Sequence, residues 1–118
     1  MAKDNAQSSF QRGVMSLLIL SLLDQEDMYG YQMIEELSRR SERAFALKTG
    51  TLYPLLHSLE EKELIISYEK DEYAARPRRY YHLERKGQHL LREKEVEWAT
   101  FTTAVDRVLK GGVCLGSA

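Results

Sequence analysis

Residues 50–66, GTLYPLLHSLEEKELII, restrict the fold of this chain more than any other stretch. At about 100° per residue from Leu52, a helix carries Leu55, Leu56 and Leu59 on one side. Tyr53, Pro54, His57 and Glu61 then fall on the other. The leucine side has to be buried, and burying it fixes the roll of the helix against a core. The free side is left with a phenol, an imidazole and a flat ring, with little bulk near the helix start. Pro54 is cheap only within a first helical turn, where its missing N–H has no partner anyway, so the helix is expected to begin near residues 49–51.

Shortly after this helix comes RPRRYYHL, residues 76–83, a basic and aromatic stretch that reads as a strand. A helix with one free polar side, next to such a strand, suits insertion into a DNA major groove with phosphate contacts alongside. Arg76, Pro77, Arg78 and Arg79 fit a stiff, charged tip, with minor-groove insertion open to Arg76 or Arg78. Glu61 would repel phosphate, so only the start of the helix is expected to enter the groove.

The charge balance pulls the other way. A net charge of −1 and a pI near 6.3 are not the footprint of a nucleic-acid binder. The distribution softens this. Arg39, Arg40, Arg43 and Lys48 form one basic group, and Arg76, Arg78, Arg79, Arg85 and Lys86 another. Phosphate responds to local potential within roughly a Debye length, about 8–10 Å. These groups are either solvated surface charge or a basic face on a near-neutral protein.

At 118 residues the chain suffices for one domain. Its longest apolar run, residues 14–23, is interrupted by Ser16 and Ser21 and is shorter than the roughly 20 residues of a membrane span. The start, MAKDNAQSSF, lacks a secretory signal pattern, and the single cysteine, Cys114, permits no internal disulfide. A soluble, cytoplasmic protein without a membrane partner is expected.

Along the chain, residues 1–9 are expected to be a flexible start and residues 10–23 a helix that is apolar nearly all round, hence central. Residues 29–40 form a second helix with Tyr31, Ile34 and Leu37 at core spacing, and Gly30 near its start leaves room for close approach by a neighbour or by a DNA backbone. Between Ser41 and Lys48 the period turns alternating, with Phe45 and Leu47 on one side, which predicts a very short strand. Residues 64–70 and 78–83 read as a hairpin. Tyr80 and Tyr81 point to opposite sides of their strand, so Tyr81 is expected inside with Leu83, and the side of Tyr80 stays open.

Residues 84–109 are the longest helical segment. Leu91, Trp98 and Val105 recur at heptad spacing, with Lys94, Phe101 and Val108 between them. So small a domain has little surface left to cover this stripe, and a second copy of the chain is the natural cover. Leu91, Trp98, Phe101, Val105 and Val108 are therefore the expected dimerisation residues. The expected class is mainly α with a small β-hairpin: a winged helix-turn-helix over residues 10–83, a dimerisation helix over 84–110 and a flexible tail over 111–118.

These residues resemble the PadR family of bacterial transcriptional regulators, in its compact branch with a single C-terminal helix. The resemblance rests on LLILSLLDQEDMYGYQMIEEL, GTLYPLLHSLEEKELI and RPRRYYHLERKG, and spans residues 10–109. It implies a homodimer that binds double-stranded DNA at an inverted-repeat operator, usually as a repressor, and that a phenolic or planar aromatic ligand releases in some members. It places Lys48, Thr49, Thr51, Tyr53, Pro54 and His57 at the recognition helix and Arg76, Arg78 and Arg79 on the wing. Trp98 matches a tryptophan that stacks on ligand between subunits in some relatives. Two positions depart from the family pattern. Glu63 stands where glycine is common after the third helix, at a cost of about 1–2 kcal/mol if the left-handed turn is kept. Glu84 stands where threonine commonly caps the last helix, with poorer capping geometry.

Nothing in the sequence supports an enzyme. His57, His82 and His89 lack metal-site spacing, no glycine-rich phosphate loop is present, and no nucleophile has a base beside it, so neither metal nor cofactor is expected. Two other readings remain: a winged-helix protein-interaction module without DNA binding, and a small-molecule sensor with its pocket at the dimer interface.

Overall fold

The leucine side of the third helix is buried, and the other elements pack around it. In the computed structural model, residues 2–71 and 77–111 are described, with side chains for residues 13–70 and 77–111. The order is α1 (Ala2–Gln25), β1 (Met28–Tyr29), α2 (Gly30–Arg40), α3 (Thr49–Glu61), β2 (Ile65–Asp71), β3 (Pro77–Leu83) and α4 (Arg85–Leu109). This is a winged helix-turn-helix with a long C-terminal helix. Leu52, Leu55, Leu56 and Leu59 join Ile19, Leu20, Leu22 and Leu23 of α1 in one core, closed by Met33, Leu37, Ile65, Tyr81, Leu83 and Leu91. Each such side chain stabilises the fold by roughly 1.5–3 kcal/mol relative to exposure.

Helix α1 begins at Ala2 rather than at Phe10. The preceding residues are mostly polar or alanine and contain neither proline nor glycine. Periodicity detects a helix only where it has a buried face, and these residues carry no apolar stripe. The end of α1 is central as expected, whereas residues 14–18 are half-buried.

On α2 the inward residues are Met33 and Leu37, with Ile34 packed beside them, while Tyr31 is 64% exposed instead of buried. The roll is set by Met33, one position outside the expected set, and that turns Tyr31 to the surface.

No strand forms between Ser41 and Lys48. Helix α2 ends in a Schellman turn, in which the Arg43 N–H donates to the Ser38 carbonyl (2.7 Å) and the Glu42 N–H to that of Arg39 (3.2 Å). Glu42 and Arg43 both take positive φ, 53° and 71°. The Ser41 hydroxyl donates to the Leu37 carbonyl (2.7 Å) and accepts from the Phe45 N–H (3.0 Å). A segment folded back on its own helix end is not extended, so it has no strand conformation to pair. Leu47 packs against the core and Phe45 is exposed. The third strand is instead Met28–Tyr29, antiparallel to β3 with Met28 opposite Tyr81 and Tyr29 opposite Tyr80, in the order β1-β3-β2.

Helix α3 also ends in a Schellman turn. The Leu64 N–H donates to the Leu59 carbonyl (3.0 Å) and the Glu63 N–H to that of Glu60 (2.9 Å), with Glu63 at φ 63°. The left-handed turn survives without glycine. Pro54 lies beyond the first turn, because the helix is capped at Lys48, and so it deprives the Gly50 carbonyl of its helical donor.

Strands β2 and β3 pair from Ile65 opposite Leu83 to Asp71 opposite Pro77, within a residue of the expected hairpin. Arg79, Tyr81 and Leu83 face the helices, and Arg78, Tyr80 and His82 the other side. Tyr80 is nevertheless buried, edge-on to Tyr29 at 5.4 Å and stacked on Tyr68 at 5.8 Å. Tyr81 is covered by the core, and Tyr80 by side chains that shield the outer face in place of a second layer.

Glu84 caps α4 with no side-chain hydrogen bond. Leu91, expected at the dimer stripe, is fully buried in the protomer core. It lies in the part of α4 that packs on α1. Farther along, Trp98, Phe101 and Val108 are 41%, 52% and 79% exposed, and Val105 is half-buried. Arg76, Cys114 and the expected tail beyond Gly111 lie outside the described residues.

Candidate nucleic-acid interface

With four leucines facing inward, α3 turns Thr51, Tyr53, Pro54 and His57 to the surface, and Thr49 is half-buried at its start. Lys48 is exposed at the N-cap, where the helix dipole and the open N–H groups favour a negative partner. His57 Nε2 lies 3.4 Å from Glu61 Oε2, one turn along the helix. The exposed imidazole therefore has an acidic neighbour on the side away from the helix start.

Tyr53 is held more firmly. Its phenol rests over Gly30, the first residue of α2, so closely that a Cβ at position 30 would overlap the ring. The neighbour for which Gly30 leaves room is thus the tyrosine of the proposed reading surface. From beneath the sheet, the Tyr81 phenol approaches the same region. Burial pushes its pKa up, the nearby Glu60 and Tyr53 add to the rise, and Arg79 opposes it.

The two wing arginines in the described residues diverge. The Arg79 guanidinium donates to Ser67 Oγ (2.9 Å), and that hydroxyl donates to Glu60 Oε2 on α3 (2.7 Å). This relay ties the wing to α3. Arg78 goes to the other side, where it lies 4.5 Å over the Tyr29 ring. Lys70 lies 5.3 Å over Tyr80 on the same outer face. Ser67, Glu60 and Tyr29 were not legible as participants. A lone serine in a strand and a two-residue strand carry no periodic signal.

At the base of that outer face, Asp27 accepts from the Tyr68 hydroxyl (2.5 Å), and His82 Nδ1 lies 2.7 Å from its other oxygen. Burial pulls the Asp27 carboxyl upward. The hydrogen bonds from Tyr68 and His82 and the charges of His82 and Lys70 together outweigh it and hold the group below the usual carboxylate range. The same bond pushes the Tyr68 phenol up to about 12, with burial and the Asp27 and Tyr80 charges contributing in that order.

Trp98 opens onto a groove of about 470 Å³ with Gly13, Val14, Leu17, Lys94, Glu97 and Phe101. Its ring is tilted against Phe101 at 6.1 Å. Among the described residues, no group of three or more His, Cys, Asp or Glu is placed to hold a metal, and no helix is long and apolar enough to cross a membrane.

An uncharacterised protein of Lysinibacillus sphaericus is 34% identical over 105 residues, covering 89% of this chain and 96% of that protein. A transcriptional regulator of Mycobacterium tuberculosis is 37% identical over 84 residues, covering 71% of this chain and 75% of its own length. A solved PadR-like transcription factor from Bacteroides fragilis superposes with a TM-score of 0.75 at 31% identity, covering 88% of this chain and 98% of that one. Residues 19–93 match the transcriptional regulator PadR-like family, and the chain belongs to it.

Proposed function

We propose that the protein is a homodimeric repressor that binds an inverted-repeat operator through α3 and the wing, and that a planar aromatic or phenolic ligand releases it. The observation that carries this reading is the division of α3, with Leu52, Leu55, Leu56 and Leu59 buried and Thr51, Tyr53 and His57 exposed. Exposed Trp98, Phe101 and Val108 along α4 favour a second copy as their cover. A two-fold pair would then set two α3 helices into successive major grooves, about 34 Å apart. Lys48, Arg76, Arg78 and Arg79 supply phosphate contacts, while Thr49, Thr51, Tyr53, Pro54 and His57 meet the groove.

The test is fluorescence anisotropy with duplexes selected by the protein from random DNA, titrated with salt. Arg78→Ala with Arg79→Ala should weaken binding to all sequences and reduce the log–log salt slope by about 0.9 for each phosphate no longer neutralised. An unchanged slope would count against the wing. Little affinity for any duplex at low salt would favour a protein-interaction module.

The groove beside Trp98 favours a second reading, as a small-molecule sensor. Quenching of this single tryptophan by planar aromatics supports it, and a flat titration across a diverse set removes it.

A further inference from the structure

The described glycines differ in what surrounds them. A Cβ at Gly13 or Gly50 would meet nothing within 4 Å, and one at Gly87 would meet the Leu64 backbone. Only at Gly30, among the described glycines, would a Cβ run into a side chain of the proposed DNA face. It would overlap the Tyr53 hydroxyl, stand 2.7 Å from Cζ and 3.3 Å from Cε1. Gly30 does not take a positive φ, so its backbone conformation is open to any residue. It also sits in the first turn of a helix, where alanine has the better propensity. The remaining physical reason for glycine at this position is the ring lying against it.

We infer that Gly30 is a positioning residue for DNA recognition: the bare backbone at the start of α2 is the slot that holds the Tyr53 phenol at one angle on the reading face. This deepens the DNA-binding reading and rests on it. Leu52, Leu55 and Leu56 fix the roll of α3, so the direction of the Tyr53 ring is the main freedom left at that position. The ring is 42% exposed, with solvent on one side and Gly30 on the other. A methyl group at position 30 displaces the ring outward, into the space a duplex would occupy, while the core beneath is untouched. A group already held in its binding geometry loses less freedom on binding, and a displaced one forfeits both its fit to the duplex and its preorganisation.

The test is a double-mutant cycle of Gly30→Ala and Tyr53→Ala, with two readouts. In protein alone, the Tyr53 ring resonances should shift in Gly30→Ala while those of Tyr68 and Tyr80 stay in place. An unmoved Tyr53 signal overturns the inference, whether or not DNA is bound. With a duplex selected by the wild type, Gly30→Ala should weaken binding about tenfold, the scale of coupling between contacting residues. The same change in the Tyr53→Ala background should cost less than about twofold. Equal losses in both backgrounds, or no loss in the first, overturn the proposal. If Gly30→Ala lowers the melting temperature, the double variant must return to that of Tyr53→Ala alone. Failure to return places the obstacle elsewhere and likewise overturns it. A wild type that binds no duplex removes the DNA-binding reading, and the ring resonances then decide whether Gly30 holds the phenol.

Discussion

Gly87 packs directly against the carbonyl of Leu64, and in this way the first turn of α4 is set onto the turn between α3 and β2. The same carbonyl accepts the Glu84 N–H at 2.9 Å. A Cβ at position 87 would run into that carbonyl and approach the Leu83 Cδ1 to 2.5 Å. The long helix thus takes its direction from the end of α3, through a contact between backbones.

Gly87→Ala should therefore destabilise the protein by about 1–3 kcal/mol, the usual range for overpacking, despite the better helix propensity of alanine. Urea denaturation checks this. A neutral or stabilising alanine would show that the two backbones have room to part.

At Glu63, with φ 63°, the opposite change is expected. Glu63→Gly relieves left-handed strain of about 1–2 kcal/mol and gives back part of it through the more flexible unfolded chain. A net gain of about 1 kcal/mol should raise the urea midpoint with the slope unchanged. A lower midpoint would mean that the glutamate side chain contributes more than its backbone strain removes.

Leu91 and Phe101 should separate folding from assembly. Leu91 is fully buried, so Leu91→Ala should cost about 2–5 kcal/mol of protomer stability. Phe101 is half-exposed, so Phe101→Glu should leave the circular dichroism spectrum intact and shift sedimentation from dimer to monomer. A Phe101→Glu variant that still sediments as a dimer would move the interface away from this stripe.

The Asp27–Tyr68 bond predicts two pH limits. Asp27 is depressed in the fold, so its contribution is present above the ordinary carboxylate range and is lost as pH falls through the lowered value. Tyr68 is raised to about 12 from 10.0, so its contribution is complete below pH 10.0 and is lost as pH rises toward 12. Tyr68→Phe should reduce the alkaline loss, leaving the part due to the buried Tyr81 phenol, and bring the Asp27 titration closer to that of an ordinary carboxylate. Phenolate absorbance and carboxyl NMR titrations measure these directly, and an alkaline limb unchanged in Tyr68→Phe would assign it to another group.

Local pattern made the α3 face legible. Leucines at helical spacing have only one way to be buried together, and their burial brings Tyr53 and His57 outward whatever else surrounds the helix. The hairpin was legible for the same reason, since alternating side chains bounded by polar residues define both its strands and its pairing. The short strand was not. Residues 41–48 alternate as a strand would, yet the Ser41 hydroxyl and two left-handed residues hold the segment against the end of α2. Tyr31 was misplaced because Met33, one position outside its stripe, sets the roll of α2, and Leu91 is covered within the protomer because periodicity states that a stripe is covered without saying by what.

The four helices, the β2–β3 hairpin and the outward side of α3 were determined by the sequence alone, because each depends on neighbours within a turn or two of the chain. Tertiary structure decided which backbones touch: Gly30 under the Tyr53 ring, Gly87 on the Leu64 carbonyl, Met28–Tyr29 at the sheet edge. A glycine offers no side chain to reveal its partner, and a two-residue strand has no period. Such contacts exist only once distant segments share one packed volume.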